Sequence, residues 1–254
     1  MSIIQTIASI IILGILYKRM IDRERPAPIS KGQVFVPVLL GVFSLILSFL
    51  MALGITLIMM GLEIDTSTLP LMIRSANAAF LIGGLSEEIA RLLIILLCLL
   101  IFRSKIKNVY EYILIGAAVG FGFTLFEEFL YNGANASIIV SMIARLIVIA
   151  AHMVFGILMA KHLGLARYYR ENGQGSPVKE RIFAILIPVV IHTFYDAGTA
   201  QNGFLEGSGE DLTIGIVLAV VAIIVMFAIQ IAVLVKFKKN TEKYCEMCFI
   251  SDTA

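Results

Sequence analysis

Residues 76–102 read ANAAFLIGGLSEEIARLLIILLCLLIF, an apolar run with Glu87, Glu88 and Arg91 near its middle. About 20 apolar residues cross a hydrocarbon core, so this stretch is long enough to span a bilayer. A charge at mid-depth costs roughly 2.5–3.5 kcal/mol on insertion scales, and ionisable groups there mark function by default. Glu88 and Arg91 are spaced i,i+3, and Glu87 and Arg91 i,i+4. Arg91 can therefore neutralise one carboxylate from the same helix face, leaving one glutamate over. A buried ion pair that only pins helix packing is the plainer explanation for such a set.

The remaining chain repeats the apolar pattern. Of 254 residues, 59% are hydrophobic, which no soluble globular domain of this size matches. The apolar runs are continuous, unlike the alternating segments of ~10 residues in a membrane β-barrel. The expectation is an all-α, polytopic transmembrane helical bundle of about seven spans, at residues 2–17, 34–62, 76–102, 109–131, 138–163, 182–201 and 212–236. Positive charge follows the first run instead of preceding it as in a signal peptide. Assigning alternate loops to one side puts seventeen Lys/Arg there and only Arg74 opposite, with Arg91 and Arg145 inside spans. The positive-inside rule then places the N-terminus outside and the C-terminus in the cytoplasm. Residues 1–236 read as one transmembrane domain and 237–254 as a polar cytoplasmic tail. Cys245 and Cys248 form a lone CxxC, too few ligands for a zinc site, and read as reduced thiols in a flexible tail. His162, at the cytoplasmic end of the fifth span, reads as a solvated interface histidine. Gly116 and Gly120 are spaced for close helix approach.

Ionisable groups are confined to spans three to six, residues 76–201. Span three carries Glu87, Glu88 and Arg91; span four Glu127, Glu128 and, at its end, Tyr131; span five Arg145 and His152; span six His192 and Asp196. Arg145 and His152 are i,i+7. Glu127 and Tyr131 are i,i+4, as are His192 and Asp196, so the aspartate can orient the imidazole. One polar stripe per helix predicts a shared interior cavity. Such a set suits hydrolysis: a buried glutamate as general base on water, with histidines polarising a carbonyl. The same groups could hold a zinc ion through His152, His192 and a carboxylate, although the helical HExxH spacing is absent. A proton- or ion-coupled transporter would use similar chains, but its usual internal repeat is missing.

EEIAR at 87–91, FEEFLY at 126–131, His152 preceded by Arg145, and HTFYD at 192–196 together resemble the PrsW-type intramembrane proteases. Their pattern is EExxK, FExxxY, a lone histidine, then HxxxD. DRERPAP at 22–28 resembles the acidic, proline-bearing loop after their first span. The likeness covers roughly residues 1–200. It departs at Arg91, where lysine is usual, and at the second glutamate, Glu128. Those proteases are related to the CAAX-processing endopeptidases and bacteriocin-immunity proteins, so a non-catalytic, partner-binding relative is the other reading. The resemblance implies an endopeptidase of the bacterial cell membrane. It would cut a membrane-anchored substrate near its extracytoplasmic side, typically an anti-sigma factor in stress signalling. It implies Glu87, Glu88, Glu127, His152 and His192 as catalytic residues, with Arg91, Tyr131, Arg145 and Asp196 in support. The metal, and which of Glu87 and Glu88 is the base, stay open. The expected partners are the substrate and the lipid bilayer, with no nucleic acid.

Overall fold

The computed structural model describes residues 2–24, 29–133, 145–199 and 210–250. The described residues are helical, apart from turns and one isolated bridge between Asn108 and Cys248. In chain order they form α1 (Ser2–Ile21), α2 (Lys31–Gly61), α3 (Leu71–Ala78), a π-helical segment (Ala79–Glu87), α4 (Glu88–Ile101), α5 (Val109–Gly133), α6 (Ala151–Asn172), α7 (Pro177–Gly198), α8 (Glu210–Lys239) and the short α9 (Thr241–Glu246). Local chemistry sets several boundaries. Ser30 and Gln33 form a reciprocal capping box at the start of α2. Ser176 caps α7, whose first residue is Pro177. Gly173 ends α6 in the left-handed conformation, at φ 61°.

Five helical stretches are long and apolar enough to cross a membrane: Lys31–Gly61, Val109–Leu130, Arg145–Asn172, Pro177–Gly198 and Thr213–Lys239. Two further expected spans fall outside that five. One is α1. The other is the Leu71–Ile101 stretch, which the π-segment divides into pieces of 8, 9 and 14 residues. Leu39, Phe43, Leu53 and Leu57 of α2 and Val217 and Ile224 of α8 face outward, as lipid-exposed side chains would.

The core centres on α5, which packs against α6, α2 and α1. Its glycines allow that approach. A Cβ on Gly120 would lie 2.7 Å from the His152 carbonyl carbon, and one on Gly116 2.8 Å from that of Gly156. The close approach expected of these two glycines is thus present, and it sets His152 against the α5 backbone.

Three expectations need correction. Arg145 and His152 do not share one continuous helix, because residues 148–150 turn before α6 begins. His162 is not solvated: it is buried, with Nδ1 2.5 Å from Glu180 Oε2. The tail is not free either, because it finds apolar partners on α5 and α8. Phe237 stacks on Tyr110, and Cys245 and Phe249 join the buried core. The Phe249 ring meets Tyr112 edge-on and lies 4.2 Å from the Arg167 guanidinium. Phe249 N–H donates to the Lys107 carbonyl at 2.8 Å, and Ile250 N–H to Glu171 at 3.0 Å. Residues 241–250 are therefore docked where a free tail was expected.

Candidate active site

Glu87 is the last residue of the π-segment and Glu88 the first of α4. The two adjacent carboxylates meet different surroundings. Glu88 and Arg91 are both fully buried and form an ion pair from i,i+3, as the spacing suggested. His192 Nδ1 lies 2.7 Å from the same Glu88 oxygen, Oε1. Its other nitrogen, Nε2, faces Glu87 Oε2 at 3.7 Å and Asp196 Oδ2 at 3.5 Å. Asp196 was expected to orient this imidazole. Glu88 holds the closer contact and accepts from Nδ1–H, which in the neutral ring leaves the lone pair on Nε2, facing Glu87 and Asp196.

His152 reaches the same centre from the start of α6. Its Nδ1 accepts from Arg91 Nη2 at 2.9 Å, and its Nε2–H donates to Glu127 Oε2 at 2.8 Å. The two imidazole centroids are 5.3 Å apart. Phe123 and Phe155 line the Arg91 guanidinium, with ring centroids 4.4 and 5.8 Å from its Cζ. Neither phenylalanine was anticipated. Their signal is spacing alone, since Phe123 precedes Glu127 by four residues and Phe155 follows His152 by three.

Glu128, whose role the sequence left open, is buried next to Glu127 on α5. Its Oε1 accepts from Arg145 Nε at 3.0 Å and Nη2 at 2.7 Å, and the same Nη2 is 3.6 Å from Glu127 Oε1. Arg145 thus spans both carboxylates. A cavity of about 40 Å³ opens there between Thr124, Glu127, Arg145, His152 and Tyr195. A water needs roughly 10–15 Å³ of such volume and two to four polar partners, so the cavity is wide and polar enough for water. The Tyr131 side chain lies outside the described residues.

Five glutamates and histidines expected together, Glu87, Glu88, Glu127, His152 and His192, therefore surround one centre with Arg91 and Asp196. Ligand atoms of Glu87, His152 and His192 all lie within 4.8 Å of one another. Two imidazoles and a carboxylate are a donor set that suits a catalytic zinc, which keeps its fourth position open. The fit is good at His192, where Glu88 holds the ring by Nδ1, as a carboxylate behind a ligating histidine does in metalloenzymes. It is good at Glu87, whose buried Oε2 has no hydrogen-bond donor. His152 has both nitrogens engaged and joins a metal only by exchanging Arg91 or Glu127.

No curated protein matches the chain. No solved structure matches it either. Residues 31–231 match the family described as PrsW family intramembrane metalloprotease, a stretch that holds the π-segment and every charged residue of this centre. The chain is accordingly an integral membrane protein, and it belongs to the PrsW family of intramembrane metalloproteases.

Proposed function

We propose that the chain hydrolyses a peptide bond of a membrane-anchored protein near the extracytoplasmic boundary. The observation that carries this reading is the convergence of Glu87, His152 and His192 ligand atoms within 4.8 Å inside a helical bundle. Glu87, His152 and His192 would hold a divalent metal such as zinc, which when bound polarises the scissile carbonyl and acidifies its water. Glu88 keeps its negative charge through Arg91 and aims His192. Glu127, beside the cavity, is the general base that takes the water's proton and returns it to the leaving amine. Arg145, anchored on Glu128, holds Glu127 in place. Asp196 places a second carboxylate beside His192 Nε2, next to where the metal would sit.

Depth supports the choice of boundary. His192 and Glu127 each stand six residues from the ends of their helices, Gly198 and Gly133. At 1.5 Å per residue that is about 9 Å, while the opposite helix ends are roughly 22–27 Å away. The nearer ends lie opposite the Lys/Arg-rich loops. An anti-sigma-factor-like substrate in stress signalling fits the family likeness.

The test is cleavage of a single-span reporter by purified protein in vesicles. Activity should vanish after chelation, return with zinc or another divalent ion, and fall by roughly 10²-fold or more in Glu127→Gln, as loss of acid–base catalysis does. Undiminished cleavage after exhaustive chelation and in Glu127→Gln would overturn the mechanism.

A further inference from the structure

Gly83 and Gly84 lie in the π-segment where it packs on α7. π-helical turns are rare and concentrate at functional sites. Ser86 reinforces this one, donating its hydroxyl to the Leu81 carbonyl, five residues back, at 2.6 Å. The two glycines meet different parts of α7. A Cβ on Gly84 would strike Thr193 Oγ1 and come within 3.1 Å of the Val189 carbonyl oxygen. That position serves backbone packing. A Cβ on Gly83 would collide with Asp196 Oδ2, at 2.9 Å from Cγ and 3.5 Å from Cβ of the same residue. The three atoms nearest to that Cβ all belong to the Asp196 side chain.

We propose that Gly83 is a positioning residue, the seat that lets the Asp196 carboxylate lie against the π-segment and stay beside His192. Asp196 is buried and its Oδ2 stands 3.5 Å from His192 Nε2. A methyl group at residue 83 occupies the space of that oxygen. What gives way is the end of a flexible side chain, not a backbone, so the carboxylate turns aside while the helices stay packed. Activity and stability should therefore separate at this residue. The inference rests on His192 belonging to the catalytic centre.

Gly83→Ala should lower kcat for reporter cleavage by roughly 10²-fold, the scale of a 1 Å misplacement of a working group, with KM unchanged. It should melt at or above the parent's temperature, since glycine inside a helix is the less stable residue. Asp196→Ala should lose activity similarly, and Gly83→Ala with Asp196→Ala should be no worse than Asp196→Ala alone. Parent-like cleavage by Gly83→Ala, or losses that multiply in the double variant, would overturn the proposal. If Gly83→Ala fails to accumulate, the double variant must accumulate, and its failure to do so also overturns it. Placement is tested without activity. A Cβ at residue 83 stands 3.5 Å from Asp196 Cβ, within the 3.5–4.5 Å of disulfides. Gly83→Cys with Asp196→Cys should crosslink on mild oxidation, read by loss of thiol labelling relative to each single variant. Absence of the crosslink contradicts the seat. A crosslink in the double-cysteine variant, with a parent chain that cleaves no reporter, would keep the seat and reject the protease mechanism.

Discussion

Two neighbouring glutamates with opposite surroundings predict opposite mutational signatures. Glu88 is wholly buried and touches Arg91 and His192 at once. Glu88→Gln strands a buried guanidinium, and breaking one side of a buried pair costs roughly 3–5 kcal/mol. We expect it to lose thermal stability in detergent together with cleavage. Glu87 has no buried guanidinium leaning on it as Glu88 has, and its ion-pair contact is the His192 nitrogen at 3.7 Å, so Glu87→Gln should melt near the parent yet lose cleavage and metal retention. Equal melting of the two variants would show that Arg91 finds another partner. At the opposite end of the bundle, Glu24 offers a test by pH. Burial lifts its carboxyl from the ordinary 4.5 to about 8, with the neighbouring Glu111 carboxyl adding to the rise. The folded state thus binds a proton that the unfolded chain releases. Its stabilisation is complete below about 4.5 and is lost as pH rises through about 8. Melting temperature should fall between pH 5.5 and 8.5, and Glu24→Gln should flatten that part of the profile. An unchanged slope in Glu24→Gln assigns the dependence to other groups. The Glu88–Arg91 pair was legible because both partners sit on one helix. The His192–Glu88 contact crosses 104 positions, and Glu128–Arg145 crosses 17, so spacing could not assign them.

At the scale of elements, the site depends on α5 lying close enough to α6 to carry His152 beside Glu127. Gly120 makes that approach, with the His152 carbonyl carbon 2.7 Å from where its Cβ would be. Here the obstacle is backbone, which cannot turn aside. Gly120→Ala should cost about 1–3 kcal/mol, the usual range for overpacking, and should lower cleavage with it, read by melting and reporter assay together. A stable, active Gly120→Ala would mean that α5 and α6 can separate without disturbing His152. The spacing of Gly116 and Gly120 announced this contact, because only small residues let backbones touch. The π-segment was not announced. Its i→i+5 hydrogen bonds are backbone features with no residue signature, and GGLS reads equally well as ordinary helix. The docked tail was hidden for a different reason. KFKKNTEKYCEMCF is polar on average, and its burial rests on a few residues, Phe237, Cys245 and Phe249, that composition averages away.

For the whole molecule, the geometry of the helix ends bears on the charge asymmetry. Tyr110 at the start of α5 donates its hydroxyl to the Met20 carbonyl at the end of α1. Phe249 of the tail bonds Lys107, and Ile250 bonds Glu171 at the end of α6. The described residues of the segments 18–33, 103–108 and 161–181 and of the tail therefore gather at one end of the bundle, and the sequence of these segments carries seventeen Lys/Arg. The single Lys/Arg assigned to the other side, Arg74, lies in α3 beyond the loop of residues 62–70. We propose that the basic end faces the cytoplasm, since Lys/Arg-rich loops resist translocation, in a chain that would cross the membrane seven times. Native Cys248 is a built-in reporter, exposed on the tail while Cys98 and Cys245 are buried. In intact cells a membrane-impermeant maleimide should leave Cys248 unlabelled, and permeabilisation should make it reactive. Asp65→Cys, in the exposed loop between α2 and α3, should label from outside in a Cys248→Ser background. Labelling of Cys248 from outside would invert the bundle. The catalytic centre would then lie near the cytoplasmic boundary, and the substrate would have to be cut from that side.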